Sequence, residues 1–123
     1  MIYGVGIDIV EVERVRRVLR RHPSRFPAKV LHPRERALYD GQRDPAAFLA
    51  RQFALKEAVA KALGRGFARG LHPSRILVGR DGAGRPYAVL PPGFDAHTVA
   101  VSVSAERRYA VAHATAFDAA GAG

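Results

Sequence analysis

The stretch QFALKEAVAKALG, residues 52–64, is made of small, helix-forming residues, yet it holds Lys56, Glu57 and Lys61 between Phe53 and Leu63. Glu57 and Lys61 stand at i,i+4, and such a pair by itself supports a helix by about 0.2–0.5 kcal/mol. The helical wheel asks for more than that. Leu55, Ala58, Val59 and Ala62 form the main apolar face, while Phe53, Ala54 and Ala60 surround the side on which Glu57 and Lys61 project. A helix packed on nearly all sides encloses Glu57 at least in part, and an enclosed carboxylate needs a partner. Asp44-Pro45 supplies the start signal, a capping side chain followed by proline at the first helical position, and Gly64 supplies the stop. The expected helix covers 45–64 and is about 30 Å long by helical rise.

Toward the N-terminus, IYGVGIDIV (2–10) is rich in Val and Ile and reads as a strand buried on both faces. Asp8 lies inside it, in phase with Ile2, Gly4, Gly6 and Val10. It must be paired, hydrogen-bonded or metal-bound, or else sit at the strand end and cap the next helix. Gly4 and Gly6 weaken a strand and mark a place where something approaches the backbone closely. From Val12 to Arg21, Val12, Val15, Val18 and Leu19 recur at helical spacing, with Arg14, Arg17 and Arg21 forming a stripe beside them. That stripe is either a solvated helix face or a landing surface for an anion. Pro23 and Pro27 mark a break, and His32-Pro33 opens a short helix to about Tyr39.

Beyond Gly66 and Gly70 the texture turns to strands. RILVG (75–79) and PYAVL (86–90) flank a hairpin-type connection, and TVAVSVSA (98–105) is followed across a short turn by YAVAHATAF (109–117). Helices first and antiparallel strands later make an α+β domain, expected to span 1–117 with a flexible tail at 118–123.

Composition bounds the function. The chain has 123 residues, a net charge of +9 and no cysteine, which excludes disulfide and thiolate chemistry and fits a cytoplasmic protein. No apolar run approaches the ~20 residues of a membrane span, and the N-terminus lacks the order of a signal peptide, so no membrane partner is expected. Arginine supplies 17 of the 20 cations. Such a charge calls for an anionic partner: nucleic acid, a phosphorylated cofactor or an acidic protein. Nucleic acid has only the charge in its favour, since Phe26, Phe48, Phe53 and Phe67 are scattered and no recognition motif is present. Two enclosed acids beside lysines suit a hard cation held against a phosphate, and Mg²⁺ is held by one or two carboxylates, substrate phosphates and water.

GVGIDIVEVERV at the N-terminus, FALKEAVAKALGRG in the long helix, GRPY, and the closing VSVSAERRYAVA together resemble the holo-acyl-carrier-protein synthases, which are 4′-phosphopantetheinyl transferases. The resemblance implies transfer of phosphopantetheine from coenzyme A to a serine of an acyl carrier protein, releasing adenosine 3′,5′-bisphosphate. It makes Asp8 and Glu57 the Mg²⁺ ligands and Lys61 a catalytic contact to the coenzyme A phosphates, with Glu57 also catalytic. Gly64 and Arg51 are assigned to the same ligand. It further implies a trimer with sites at subunit interfaces, and an acidic carrier protein docked on Arg14, Arg17 and Arg21. A metal polarising the phosphate and a lysine near the leaving group suit attack by a hydroxyl on the β-phosphorus. The proton acceptor is left open between Glu57 and a metal-bound water. Two positions depart from the family pattern: Ala105 stands where a histidine is usual, and Gln52 where an arginine is usual. They keep in view a member of this fold that has lost activity.

Overall fold

The computed structural model describes residues 1–67 and 70–118. Strand β1 (Ile2–Glu11) leads into helices α1 (Val12–Arg21) and α2 (Arg25–Val30), a 3-10 turn at Pro33–Glu35, α3 (Arg36–Asp40) and the long α4 (Pro45–Ala62). A second 3-10 turn at Pro73–Arg75 precedes β2 (Leu77–Arg80), β3 (Pro86–Val89), β4 (His97–Ala105) and β5 (Tyr109–Asp118). The strands make an antiparallel sheet in the order β1-β5-β4 and a separate β2-β3 hairpin. This is the α+β arrangement expected. Of the tail expected at 118–123, Asp118 still belongs to β5, and residues 119–123 lie outside the described residues.

Helix α4 organises the rest. Asp44 caps it, Oδ1 accepting from the Ala47 amide at 3.2 Å with Pro45 in the first turn. Arg16 of α1 reaches the same carboxylate with two nitrogens, at 3.0 and 3.2 Å, and so ties α1 to the start of α4. The helix is buried nearly all round, from Ala46 and Leu49 through Leu55 and Ala58 to Ala62. It lies across the inner face of the three-stranded sheet, which small residues make smooth. Ala110, Ala112, Ala114 and Ala116 of β5 are each at most 1% exposed. Gly4 and Gly6 of β1 pair with Ala116 and Ala114. A Cβ on Gly4 would run into the Ala62 carbonyl, and one on Gly6 into the Ala58 carbonyl. The close approach that the glycines signalled is therefore that of the α4 backbone.

Two expectations are corrected here. Pro27 does not break the chain but lies in the third position of α2, where an amide hydrogen would have no intrahelical partner anyway. Strand β1 is not buried on both faces within one chain. Val5, Ile7 and Ile9 are 61–63% exposed on the outer face, because α4 covers only one face of β1 and among the described residues no layer covers the other. Among the described residues, no helix is long and apolar enough to cross a membrane.

Candidate active site

The glycines of β1 also set the geometry of its acid. With α4 drawn close over Gly4 and Gly6, Asp8 on the same face meets the last turns of the helix. Lys61 Nζ donates to Asp8 Oδ1 at 2.9 Å and to the Ile7 carbonyl at 3.1 Å. The Asp8 side chain is 11% exposed and that of Lys61 53%, so the pair sits at the mouth of an enclosure. The ammonium thus turns across to the strand, where the spacing alone suggested a bond to Glu57. Nor does Asp8 cap α1, since β1 continues to Glu11. The bond to Asp8 holds Lys61 above the ordinary lysine range. The half-buried Glu57 is pushed up, first by burial and then by the neighbouring Asp8 charge, with Lys61 opposing. Two carboxylates whose charges oppose each other make a place for a cation. Among the described residues no group of three or more potential ligands exists to cage a metal entirely with protein. The donor set fits a hard ion that takes its remaining ligands from water and phosphate.

These acids open on a groove of about 700 Å³ whose walls include Asp8, Glu57, Arg14, Arg17, Phe53 and Tyr109. Arg14 and Arg17 meet Arg21 and Val18 in a smaller cleft of about 230 Å³, so the arginine stripe and the acids adjoin one continuous surface. Arg17 is partly answered by Glu11 at 3.8 Å.

The sequence profile of the 4′-phosphopantetheinyl transferase superfamily matches residues 4–114. The chain belongs to that superfamily. Within it, the chain is 43% identical over 120 residues to the holo-[acyl-carrier-protein] synthase of Aromatoleum aromaticum, covering 93% of this chain and 96% of that one. It is 47% identical over 115 residues to that of Geobacillus kaustophilus, covering 91% and 86%. Among solved structures it resembles the Neisseria meningitidis holo-[acyl-carrier-protein] synthase with a TM-score of 0.89 and 31% identity, over 96% of this chain and 100% of that one. The Bacillus anthracis synthase in complex with CoA (3′,5′-ADP) superposes with a TM-score of 0.84 and 32% identity, over 94% and 96%. The chain is an enzyme, a transferase of the holo-[acyl-carrier-protein] synthase kind.

Not every residue assigned from the sequence gathers at this transferase's acids. Gly64, with φ of 69°, follows the end of α4 and is exposed close to Lys61. Arg51 lies about 15 Å back along the helix by rise per residue. It is half-buried, with its guanidinium 6.0 Å from the Phe48 ring, and is held below the ordinary arginine range by burial and then by Arg80. Gln52 is buried and donates to the Val78 carbonyl at 3.3 Å, so the position usually held by arginine here fastens β2 to α4. Ala105 ends β4, exposed, opposite Ala110.

Sequence reasoning missed one polar cluster. Lys56 and Glu35 are both fully buried and bond at 2.9 Å. Lys56 also donates to the Val30 carbonyl at 2.7 Å, and Glu35 Oε2 accepts from the Val78 amide at 2.7 Å. Burial pulls the Lys56 ammonium below its ordinary range, and Glu35 opposes that pull. The signal in the sequence was Lys56 itself, which follows Leu55 and precedes Ala58 and Val59 on a helix packed nearly all round.

Proposed function

We propose that this transferase moves the 4′-phosphopantetheine group of coenzyme A to a serine of an apo-acyl carrier protein, with Mg²⁺, releasing adenosine 3′,5′-bisphosphate. The observation that carries the reading is the Asp8–Lys61 pair beside Glu57, at the head of a groove walled by arginines, in a chain of this family. Asp8 and Glu57 would hold the metal, which supplies polarisation of the phosphate oxygens. The serine oxygen forms a bond to the β-phosphorus while the bond to the bridging oxygen breaks. The serine proton leaves to a base, and negative charge collects on the departing bisphosphate. Lys61 stands at the mouth of the site and can turn from Asp8 to that charge as a compact cation. Gly64 presents exposed backbone at the same end of α4. Arg51, farther along the helix, serves only a ligand as extended as coenzyme A.

The exposed strip of β1 supports assembly. Val5, Ile7 and Ile9, with Tyr3 at 51% exposure, form a contiguous apolar band on the outer sheet face of a kind that monomers seldom leave to water. Three copies joined through this face, with sites completed by neighbours, make the trimer the family pattern implies. An active monomer by light scattering would overturn the trimer.

Incubation of the protein with coenzyme A, Mg²⁺ and an apo carrier protein, read by the mass of the carrier, tests the activity. Transfer is expected, and it should vanish in Asp8→Asn and in Glu57→Gln while both variants melt cooperatively. A wild type that transfers nothing would point to an inactive member of the fold. Near-normal turnover of either variant at limiting Mg²⁺ would remove the metal assignment.

A further inference from the structure

The tight turn between β4 and β5 reads Glu106-Arg107-Arg108, and nothing in the chemistry above uses it. It is an ordered feature. Glu106 Oε1 accepts from the Arg108 amide at 3.0 Å and from the Tyr109 amide at 2.8 Å. The Arg108 carbonyl accepts from the Val12 amide at 2.9 Å, so the turn is fastened to the first residue of α1. All of these bonds are made by the backbone and by Glu106. The two guanidinium groups are left to solvent, and among the described residues neither is in an ion pair.

Position gives this turn its meaning. Arg107 and Arg108 line a cleft of about 440 Å³ with Glu11, Glu13, Arg16 and Tyr109. Glu11 and Tyr109 also line the larger groove that holds Asp8 and Glu57, so the two depressions share a wall. The acids of the cleft are already engaged, Glu11 by Arg17 at 3.8 Å and Glu13 by Arg16 at 3.3 Å and Arg20 at 3.7 Å. The groove is therefore adjoined by two cationic features, the stripe of Arg14, Arg17 and Arg21 and, past the shared wall of Glu11 and Tyr109, the turn. Each is rigidly mounted on the other through Val12.

We infer that the Arg107–Arg108 turn is a second docking point for the acidic carrier protein, which reaches from the α1 stripe to the turn past the wall of Glu11 and Tyr109. This deepens the proposed function and rests on it. One cationic stripe holds the carrier along a single line but leaves it free to roll about that line. A second point off that line removes that freedom and directs the bound serine toward Asp8 and Glu57. Exposed charges of this kind act chiefly through association and are weakened by salt.

The test compares wild type with Arg107→Glu/Arg108→Glu, and with the milder Arg107→Gln/Arg108→Gln. Their folding is checked by melting, and the backbone anchors of the turn do not depend on either side chain. Carrier-protein binding is measured directly by calorimetry, and carrier KM and coenzyme A KM in the transfer assay, at two ionic strengths. The charge reversal is expected to raise Kd and KM for the carrier about tenfold or more at low salt, with a flatter salt dependence, and to leave KM for coenzyme A in place. The Gln variant should fall between. Wild type that transfers, with carrier Kd and KM unchanged in the reversed turn, overturns this inference and spares the activity. Wild type that neither transfers nor binds the carrier overturns the activity first and this inference with it.

Discussion

Helix α4 carries two lysines, one on each side of Glu57, and the structure treats them in opposite ways. Lys56 and its partner Glu35 have no exposed side-chain surface at all, and every polar atom of the pair is committed to a fixed neighbour. Lys61 is 53% exposed, and its partner Asp8 faces a groove and a second carboxylate. The chemistry of the two pairs is the same; their freedom is not. The buried pair ties three segments to α4: Lys56 holds the α2 C-terminus through Val30 and the 3-10 turn through Glu35, and Glu35 in turn holds β2 by accepting from the Val78 amide. A lysine at the rim can leave its acid when a ligand brings a better one. That contrast gives a reason for a carboxylate between two lysines: one anchors the helix, and the other, in the function proposed, works beside the carboxylate.

The largest expected effect is on the buried pair. Lys56→Met should cost about 3–5 kcal/mol, since removing one partner leaves the other as an uncompensated buried charge. That is a large part of the about 5–15 kcal/mol by which a domain is stable. Adding Glu35→Gln should recover some of the loss, because an amide oxygen still accepts from the Val78 amide. Urea unfolding midpoints of wild type, single and double variants measure this. A loss below about 1 kcal/mol for Lys56→Met, the range of exposed pairs, would erase the distinction between the two lysines.

Lys61→Met should do the reverse. The pair is open to solvent on its lysine side and contributes at most about 1 kcal/mol after screening, so the unfolding midpoint should barely move. Turnover should fall by about 10² or more, the effect of removing one charge-stabilising group from a reacting phosphate. Lys61→Arg should likewise leave the midpoint in place and restore only part of the turnover, as a planar fork does not replace a point charge. Normal turnover in Lys61→Met would leave the rim lysine with no more than an ion pair's role.

Much of this arrangement was legible in the sequence, for identifiable reasons. Helix α1 begins and ends where the Val12, Val15, Val18 and Leu19 periodicity places it, and α4 starts at the Asp44-Pro45 signal. Gly4 and Gly6 announced a close approach, and Asp8 in phase with them was bound to meet whatever came near. The rest depended on contacts that local pattern does not encode. Helix α2 was hidden by Pro27, whose ring is harmless only because of its place in the first turn. The outer face of β1 was misread because a Val and Ile run looks the same whether its second face is covered by its own chain or left bare. Glu35 gave no sign of its fate, because its partners come from α4 and β2 and are far from it in sequence. Lys61 turned to Asp8 instead of Glu57 because a strand held close by two glycines outcompeted the neighbouring helical turn.

A third pair sharpens the comparison at its weak end. Arg16 and Asp44 are joined by two bonds, yet their side chains are 36% and 47% exposed, so this is a surface pair with good geometry. The bond from Arg16, and secondarily that from the Ala47 amide, hold the Asp44 carboxyl below the ordinary carboxylate value, with burial opposing. Because the folded carboxyl is the stronger acid, its contribution is complete above the unfolded value of 3.8 and is lost as pH falls through the lower folded value. Asp44→Ala, which removes the cap and the charge, should cost about 1 kcal/mol at neutral pH. Asp44→Asn keeps a capping oxygen and should cost only a few tenths of that, roughly the screened ion pair alone. The gap between wild type and Asp44→Asn should narrow as pH falls below the ordinary carboxylate range and in high salt, while the gap between Asn and Ala should persist. Thermal melts of the three proteins at neutral and acid pH measure both gaps. If the Asn variant loses as much as the Ala variant, the charge on Arg16 matters more than the cap, and the start of α4 belongs with the buried pair instead of the surface.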